Sequence, residues 1–254
     1  MKKQMKKILA VSLMLVMILT LGSCGKEEAK VYKAAMEPTF PPFDTTDKES
    51  GELTGFDVDL MEAIAKDQNF TLEWKNMGFD GLIPALKSGN IDIIASGMYA
   101  SDERKKEVSF SDTYYDSGLV LAVQEKNTTI KGLKDVTKDM VLGGQIGTTG
   151  GKLAEKLKKE GKIKDAKIYN GVDTAVLDLQ NGTIDGLIND KPVTQTYIKE
   201  QPGKIKIVGE TLNAEAYGIA VKKDNEELLK KINEGLKNLK DSGEFDKIYK
   251  KWFE

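Results

Sequence analysis

Two stretches of the chain repeat one design. Residues 82–92 read LIPALKSGNID and residues 175–185 read AVLDLQNGTID, so Leu86, Gly89, Ile91 and Asp92 are answered by Leu179, Gly182, Ile184 and Asp185. In both copies apolar residues recur at helical spacing, as Phe79, Leu82, Ile83 and Leu86, and as Val172, Ala175, Val176 and Leu179. Gly89 and Gly182 stand where a helix takes a left-handed C-terminal cap. A short apolar strand is expected next, over 91–95 and 184–188, ending on Ser96 and Gly97 in one copy and on Asn189 and Asp190 in the other. Open α/β sheets bind ligands just beyond the carboxyl ends of their strands. Two copies therefore imply two α/β lobes, each offering a strand end to a shared cleft. Helix, glycine and strand also form a common α/β connection, so the spacing alone leaves a chance match open.

The first residues read as an export signal. Lys2, Lys3, Lys6 and Lys7 precede an apolar run, residues 8–21, that is short for a membrane span. Cleavage is expected before Cys24, making residues 1–23 a signal peptide. Leu21, Gly22, Ser23 and Cys24 have the pattern of a bacterial lipoprotein box, in which the cysteine thiol is acylated; a plain secretory signal that ends by chance at a cysteine is the other reading. Cys24 is the only cysteine, which excludes an intrachain disulfide. A buried methylene contributes about 0.8 kcal/mol and stable anchoring takes about two acyl chains, so a diacylated Cys24 would hold the protein on the outer face of the cell membrane. Residues 24–30 then serve as lipidated cysteine and polar leash.

Loss of the signal removes four lysines and no acid from a chain whose net charge is −2. An acidic balance with scattered lysines argues against nucleic acid and against electrostatic membrane binding. The roughly 230 residues that remain can bury one large core or two modest ones. With no histidine and one cysteine, Ser/His and Cys/His nucleophiles and the usual zinc sites are excluded. No metal and no cofactor is expected: Gly143, Gly144, Gly147, Gly150 and Gly151 crowd one loop but lack the Lys-Ser/Thr pair of a phosphate-binding loop.

Along the chain, a strand over 31–36 leads to a loop with Pro38, Pro41 and Pro42, which cannot be helix and displays Phe40 and Phe43. A helix is expected from Asp57 with Val58, Met61, Ile64 and Ala65 inward; Asp57 and Asp59 read as cap and dipole partners at its start. Strands over 70–74 and 108–110 extend this lobe. Residues 118–123 form an apolar strand, after which a second α/β block has strands over 140–142 and 167–169 and a helix over 151–159. A strand over 205–208 follows, and 217–221 resembles 118–123 in texture. Two apolar strands bracketing one α/β block suggest two crossings between lobes. The last segment, 225–253, is helical, broken at Gly243, and should return to the first lobe. The expected divisions are 31–116 with 219–254 as lobe 1 and 117–218 as lobe 2, hinge strands included.

FPPF at 40–43, GFDVDL at 55–60, FDGLIPALKSGNID at 79–92, SDERKKEVSFSDTYY at 101–115, QIGTTG at 145–150, YGIAV at 217–221 and IYKKWF at 248–253 occur in order. Together they resemble the polar amino acid binding proteins of ABC importers, bacterial solute-binding protein family 3, over essentially 31–254. The resemblance implies an α/β, two-lobed periplasmic-binding-protein-like fold of type II, its lobes joined by two crossing strands and able to close about a hinge. It implies no enzyme but a receptor that delivers a free amino acid to ABC permease and ATPase subunits, as a monomer.

A zwitterion leaving water needs fixed partners for both charges. By resemblance, Arg104 grips the carboxylate, helped by backbone N–H groups near Gly97 and Tyr99 and by Thr149 from the opposite lobe, while Asp190 takes the α-ammonium. Glu37 meets the ligand side chain between the aromatic walls Phe40 and Phe79, which favours arginine, lysine, histidine or glutamine. Ser96, Gln145, Thr148 and Asn189 complete the expected lining. Tyr99 departs from the Thr or Ser usual in relatives, so either the pocket is reshaped or the phenol packs on the ligand. Two other functions fit the scaffold: a dehydratase acting on cyclohexadienyl substrates, and a non-transport sensor or adhesin.

Overall fold

A buried strand, β1 (Lys30–Met36), opens the computed structural model, which describes residues 29–254. The expected signal peptide, Cys24 with its expected acylation, and most of the 24–30 leash lie outside the described residues. A small hairpin, β2 (Thr45–Thr46) and β3 (Leu53–Thr54), leads into α1 (Phe56–Asp67), β4 (Phe70–Asn76), α2 (Phe79–Ser88) and β5 (Ile93–Ile94). The short α3 (Asp102–Lys105), β6 (Ser109–Phe110) and β7 (Tyr115–Ser117) end this half. Next come β8 (Leu119–Gln124), β9 (Val141–Gln145), α4 (Thr149–Lys159), β10 (Asp165–Tyr169), α5 (Val172–Asn181), β11 (Gly186–Asp190), α6 (Lys191–Glu200) and β12 (Ile205–Val208). The chain closes with β13 (Glu215–Tyr217), β14 (Ala220–Val221), α7 (Glu226–Ser242) and α8 (Glu244–Phe253).

These strands make two five-stranded sheets, ordered β4-β1-β5-β14-β6 and β10-β9-β11-β8-β12, each the floor of one lobe. Each sheet pairs parallel strands, β1 with β5 and β9 with both β10 and β11, and adds an antiparallel strand that the chain forms just after crossing over: β8 in the second, β14 in the first. The crossings themselves, β7 and β13, pair antiparallel as a two-stranded ribbon. The expected single strand over 217–221 is thus two, because the chain leaves the ribbon at Tyr217 and enters the first sheet at Ala220.

The repeat noted in the sequence is real in three dimensions. Gly89 (φ 79°) and Gly182 (φ 77°) both take the left-handed cap that a side chain would strain. Asp92 then donates its N–H to Lys33 O (2.8 Å) and accepts Lys33 N–H on Oδ2 (2.9 Å); Asp185 makes the same pair of bonds with Val141, both at 2.8 Å. Each aspartate clamps the start of its strand to the neighbouring parallel strand. The strands begin later than expected, at Ile93 and Gly186, because the clamp precedes the regular ladder.

Several expectations need correction. The glycine loop begins later than supposed: Gly143 and Gly144 lie within β9, where α4 packs so close that a Cβ on Gly144 would meet Gly151 Cα at 2.6 Å. In α1 the buried face is Phe56, Leu60, Met61, Ile64 and Ala65, and Val58 is only half-buried. Asp57 and Asp59 occupy the first turn of α1, yet neither caps it. Asp57 Oδ2 instead accepts Gly97 N–H (2.8 Å) and the Tyr114 hydroxyl (2.9 Å), while Asp59 Oδ2 accepts Trp252 Nε1 (2.7 Å) and Lys251 Nζ (2.6 Å). Through Asp59, and by packing of α7 and α8 on α1, the C-terminal helices are fixed to the first lobe. The other indole, Trp74 on β4, also donates to an α1 carboxylate, Glu62 Oε1, at 2.8 Å.

Candidate functional site

Four strand ends converge from the two sheets. β1 delivers Glu37 and β5 runs into Ser96 and Gly97; opposite them, β9 ends at Gln145 and β11 at Asp190. All five are well inside the protein, and Glu37 and Asp190 are each 5% exposed. A carboxylate survives such burial only with partners.

Arg104, 6% exposed, lies on α3, whose Ser101 cap accepts the Arg104 N–H at 3.4 Å. Its guanidinium donates from Nη1 to Tyr99 O and from Nη2 to Gly147 O, both at 3.1 Å, and sits 5.2 Å from the centre of the Phe79 ring. Gly147 belongs to the second lobe, so the guanidinium already bridges the cleft. Burial works against its charge, and the carboxylates of Glu215 and Asp190 hold it. Two of five guanidinium donors are spent in fixing the plane; the fork keeps others for an anion.

Asp190 answers from the far side. Burial lifts its carboxyl to about 6, against hydrogen bonds from Tyr217 and Tyr99 and the nearby Arg104 charge. The Tyr217 hydroxyl donates to Oδ1 at 2.6 Å. Tyr99 stacks on Tyr217 with ring centroids 5.0 Å apart, its hydroxyl 3.5 Å from Ser117 Oγ. The Tyr99 phenol therefore reaches the Asp190 end of the cleft.

Glu37 forms the other end. Its Oε2 accepts Gln145 Nε2 (2.8 Å) from the opposite lobe and the Thr39 hydroxyl (2.9 Å), while its N–H donates to Ser96 Oγ (3.0 Å). Burial pushes its carboxyl above the usual range, and the Gln145 and Thr39 bonds oppose the shift. Phe40 lies over Gly97, where a Cβ would meet the ring at 2.5 Å, and its centroid is 6.2 Å from Tyr217.

Three expected site residues are directed elsewhere. The Gly97 N–H is committed to Asp57 Oδ2, leaving it unable to serve a carboxylate. The Thr148 hydroxyl caps α4, accepting Gly151 N–H (3.0 Å) and donating to Gln145 O (2.7 Å). The Asn189 amide donates to Thr194 Oγ1 (3.2 Å) within its own lobe. Thr149 is the half-buried first residue of α4. Beneath Gly97 lies an unforeseen acid pair: Asp44 and Asp57 are both fully buried, and burial raises both carboxyls, Asp44 further through the Asp57 charge. Thr39, Tyr197 and Tyr217 were also missed; their bonds reach 27 to 158 residues along the chain, beyond any local pattern. The position of Tyr217 at the start of the expected second crossing, 217–221, was the one available signal.

Phe79, Arg104 and Gly147 also border a cavity of about 570 Å³, rimmed by Asp80, Glu103 and Lys152. Lys152 and Glu103 pair across the cleft at 2.8 Å.

Known proteins resemble the chain in sequence and fold. The arginine-binding periplasmic protein of Mannheimia haemolytica is 38% identical over 222 residues, covering 85% of this chain and 89% of its own. A solved ancestral arginine-binding protein bound to arginine superposes with a TM-score of 0.84 at 43% identity, covering 89% of this chain and 100% of its own. An ancestral arginine-binding protein bound to glutamine superposes with a TM-score of 0.81 at 44% identity, covering 88% and 97%. All three are binding proteins by name. Residues 32–254, which hold both sheets, the crossing ribbon and every site residue above, match one family throughout, and the chain belongs to the bacterial extracellular solute-binding proteins, family 3.

Proposed function

We propose that the protein is the receptor of an ABC importer, capturing a polar amino acid between its lobes and handing it to permease and ATPase subunits. One observation carries the reading: a buried cation, Arg104, and a buried anion, Asp190, come from different lobes and feel each other's charge across one cleft. A zwitterion satisfies both, Arg104 meeting its carboxylate and Asp190 its α-ammonium. Closure follows because only the closed arrangement offers both partners together.

The side-chain end favours a cation. Glu37 and Asp190 place two buried carboxyls at opposite ends of a cleft that holds one buried guanidinium, Arg104, and Phe40 and Phe79 supply ring faces. Arginine, lysine or histidine fits this balance, and glutamine fits through its amide; the binding proteins named above for arginine, and the one solved with glutamine, agree. The lobes of this reading are 31–116 with 219–254, and 117–218, acting as a monomer. The cleft is assigned capture without catalysis; steady conversion of a cyclohexadienyl substrate by purified protein would displace that assignment.

Calorimetry tests the core of it. Arg104→Ala should lower amino acid affinity about 100-fold or more, as loss of one member of a buried charge pair does, and undiminished binding would refute the carboxylate role. A thermal-shift screen of the twenty amino acids should single out the ligand by the largest rise in melting temperature. The lipoprotein-box pattern at 21–24 further supports a lipid anchor on Cys24 of the exported protein. Cys24→Ser should release it from the membrane fraction and abolish acyl labelling; a variant still labelled would end the anchor reading.

A further inference from the structure

Thr39 is not among the residues that the charge arrangement calls for, yet it makes more bonds across the cleft than any of them. Its hydroxyl accepts the Val172 N–H at 2.8 Å and donates to Glu37 Oε2 at 2.9 Å, and its carbonyl accepts the Tyr197 hydroxyl at 3.1 Å. Val172 is the first residue of α5, a helix whose own N-cap is Gly171 and whose start has no side-chain cap from its own lobe. Helix N-termini leave unsatisfied N–H groups that a neighbouring hydroxyl normally takes. Here that hydroxyl comes from the other lobe. The fit is close: a Cβ on Gly171 would stand 3.1 Å from Thr39 Oγ1 and Cγ2.

We infer that Thr39 is a positioning residue that couples side-chain recognition to closure: it caps α5 only when the lobes meet, with the same hydroxyl that orients Glu37. The orientation part rests on the receptor reading above; the capping part does not. A hydroxyl has one proton to donate and lone pairs to accept with, so it can accept from Val172 while donating to Glu37. Opening the cleft therefore takes the Thr39 cap from α5 and the Gln145 bond from Glu37 together, leaving the local Thr39 hydroxyl as the carboxylate's remaining side-chain partner.

The test uses the whole protein with Thr39→Val, which keeps the shape and removes the hydroxyl, and Thr39→Ser, which restores it. Amide hydrogen exchange is followed by mass spectrometry in a peptide that begins before Asn170 and spans Val172, in the lobe that carries no substitution. Faster exchange there in Thr39→Val, with Thr39→Ser close to the parent, is the expected result. For the amino acid found by screening, Thr39→Val should speed dissociation about tenfold and leave association nearly unchanged. Parental exchange at α5 in Thr39→Val overturns the inference, as does an equal loss in Thr39→Ser, which would make Thr39 a packing element. If the parent binds no amino acid, the receptor reading fails while the exchange comparison still decides the cap.

Discussion

At Asp190 two influences oppose each other. Burial favours the protonated carboxyl and lifts it to about 6, while the Tyr217 bond and the Arg104 charge favour the ionised one. An ammonium group binds the ionised form, so below about pH 6 the site must first release a proton. Amino acid affinity should therefore fall by up to about tenfold per pH unit on acidification below pH 6, with proton release visible as a buffer-dependent enthalpy in calorimetry. A flat affinity between pH 5 and 7.5 would place the ammonium elsewhere. The sign for stability is opposite. A carboxyl whose folded value lies above its unfolded value contributes most at low pH, so this contribution in the free protein is lost as pH climbs from about 4 to about 6. The resemblance, more than any local pattern, pointed to Arg104, Asp190 and Glu37, and the structure buries all three, with Gln145, around one cleft. Gly97, Thr148 and Asn189 had the right address, yet their polar groups serve Asp57, α4 and Thr194.

Among elements, the duplicated helix, glycine and strand was readable because every signal in it is local: helical spacing, a left-handed cap, then an apolar run. The reciprocal clamp made by its aspartate was not, since the partners Lys33 and Val141 lie on strands formed earlier in the chain. Each clamp bond lies near the surface, where one hydrogen bond contributes about 1 kcal/mol. Asp92→Ala and Asp185→Ala should each lower unfolding free energy by about that much. Because they sit on separate sheets, the double variant should equal the sum within about 0.5 kcal/mol in denaturant titrations; strong non-additivity would mean the two sheets are not independent braces. The helix α6 escaped notice although Pro192 in its first turn is a start signal. Its sequence, KPVTQTYIKE, shows too short an apolar stripe, Val193 and Tyr197, to announce a helix, and its packing on β8, β11 and β12 supplies what periodicity does not.

Over the whole molecule, the chain crosses between sheets twice and returns. Two apolar strands around an α/β block were enough to predict that path, but the sequence marked each crossing too late, because β8 and β14 already belong to the sheets and the ribbon is β7 with β13. The ribbon is fastened to the first lobe by rings: Phe43 lies 4.8 Å from Tyr115, 5.0 Å from Tyr217 and 5.2 Å from Phe253. The two tryptophans, Trp74 and Trp252, are both tied to carboxylates of α1 and travel with that lobe whether or not the cleft is shut. Optically, the receptor is blind to its own cargo. Indole emission should barely change as amino acid is added and shift sharply on denaturation, so watching capture by fluorescence requires a dye attached beside Gln145 or Gly171, and a large intrinsic response would show α1 taking part in the motion.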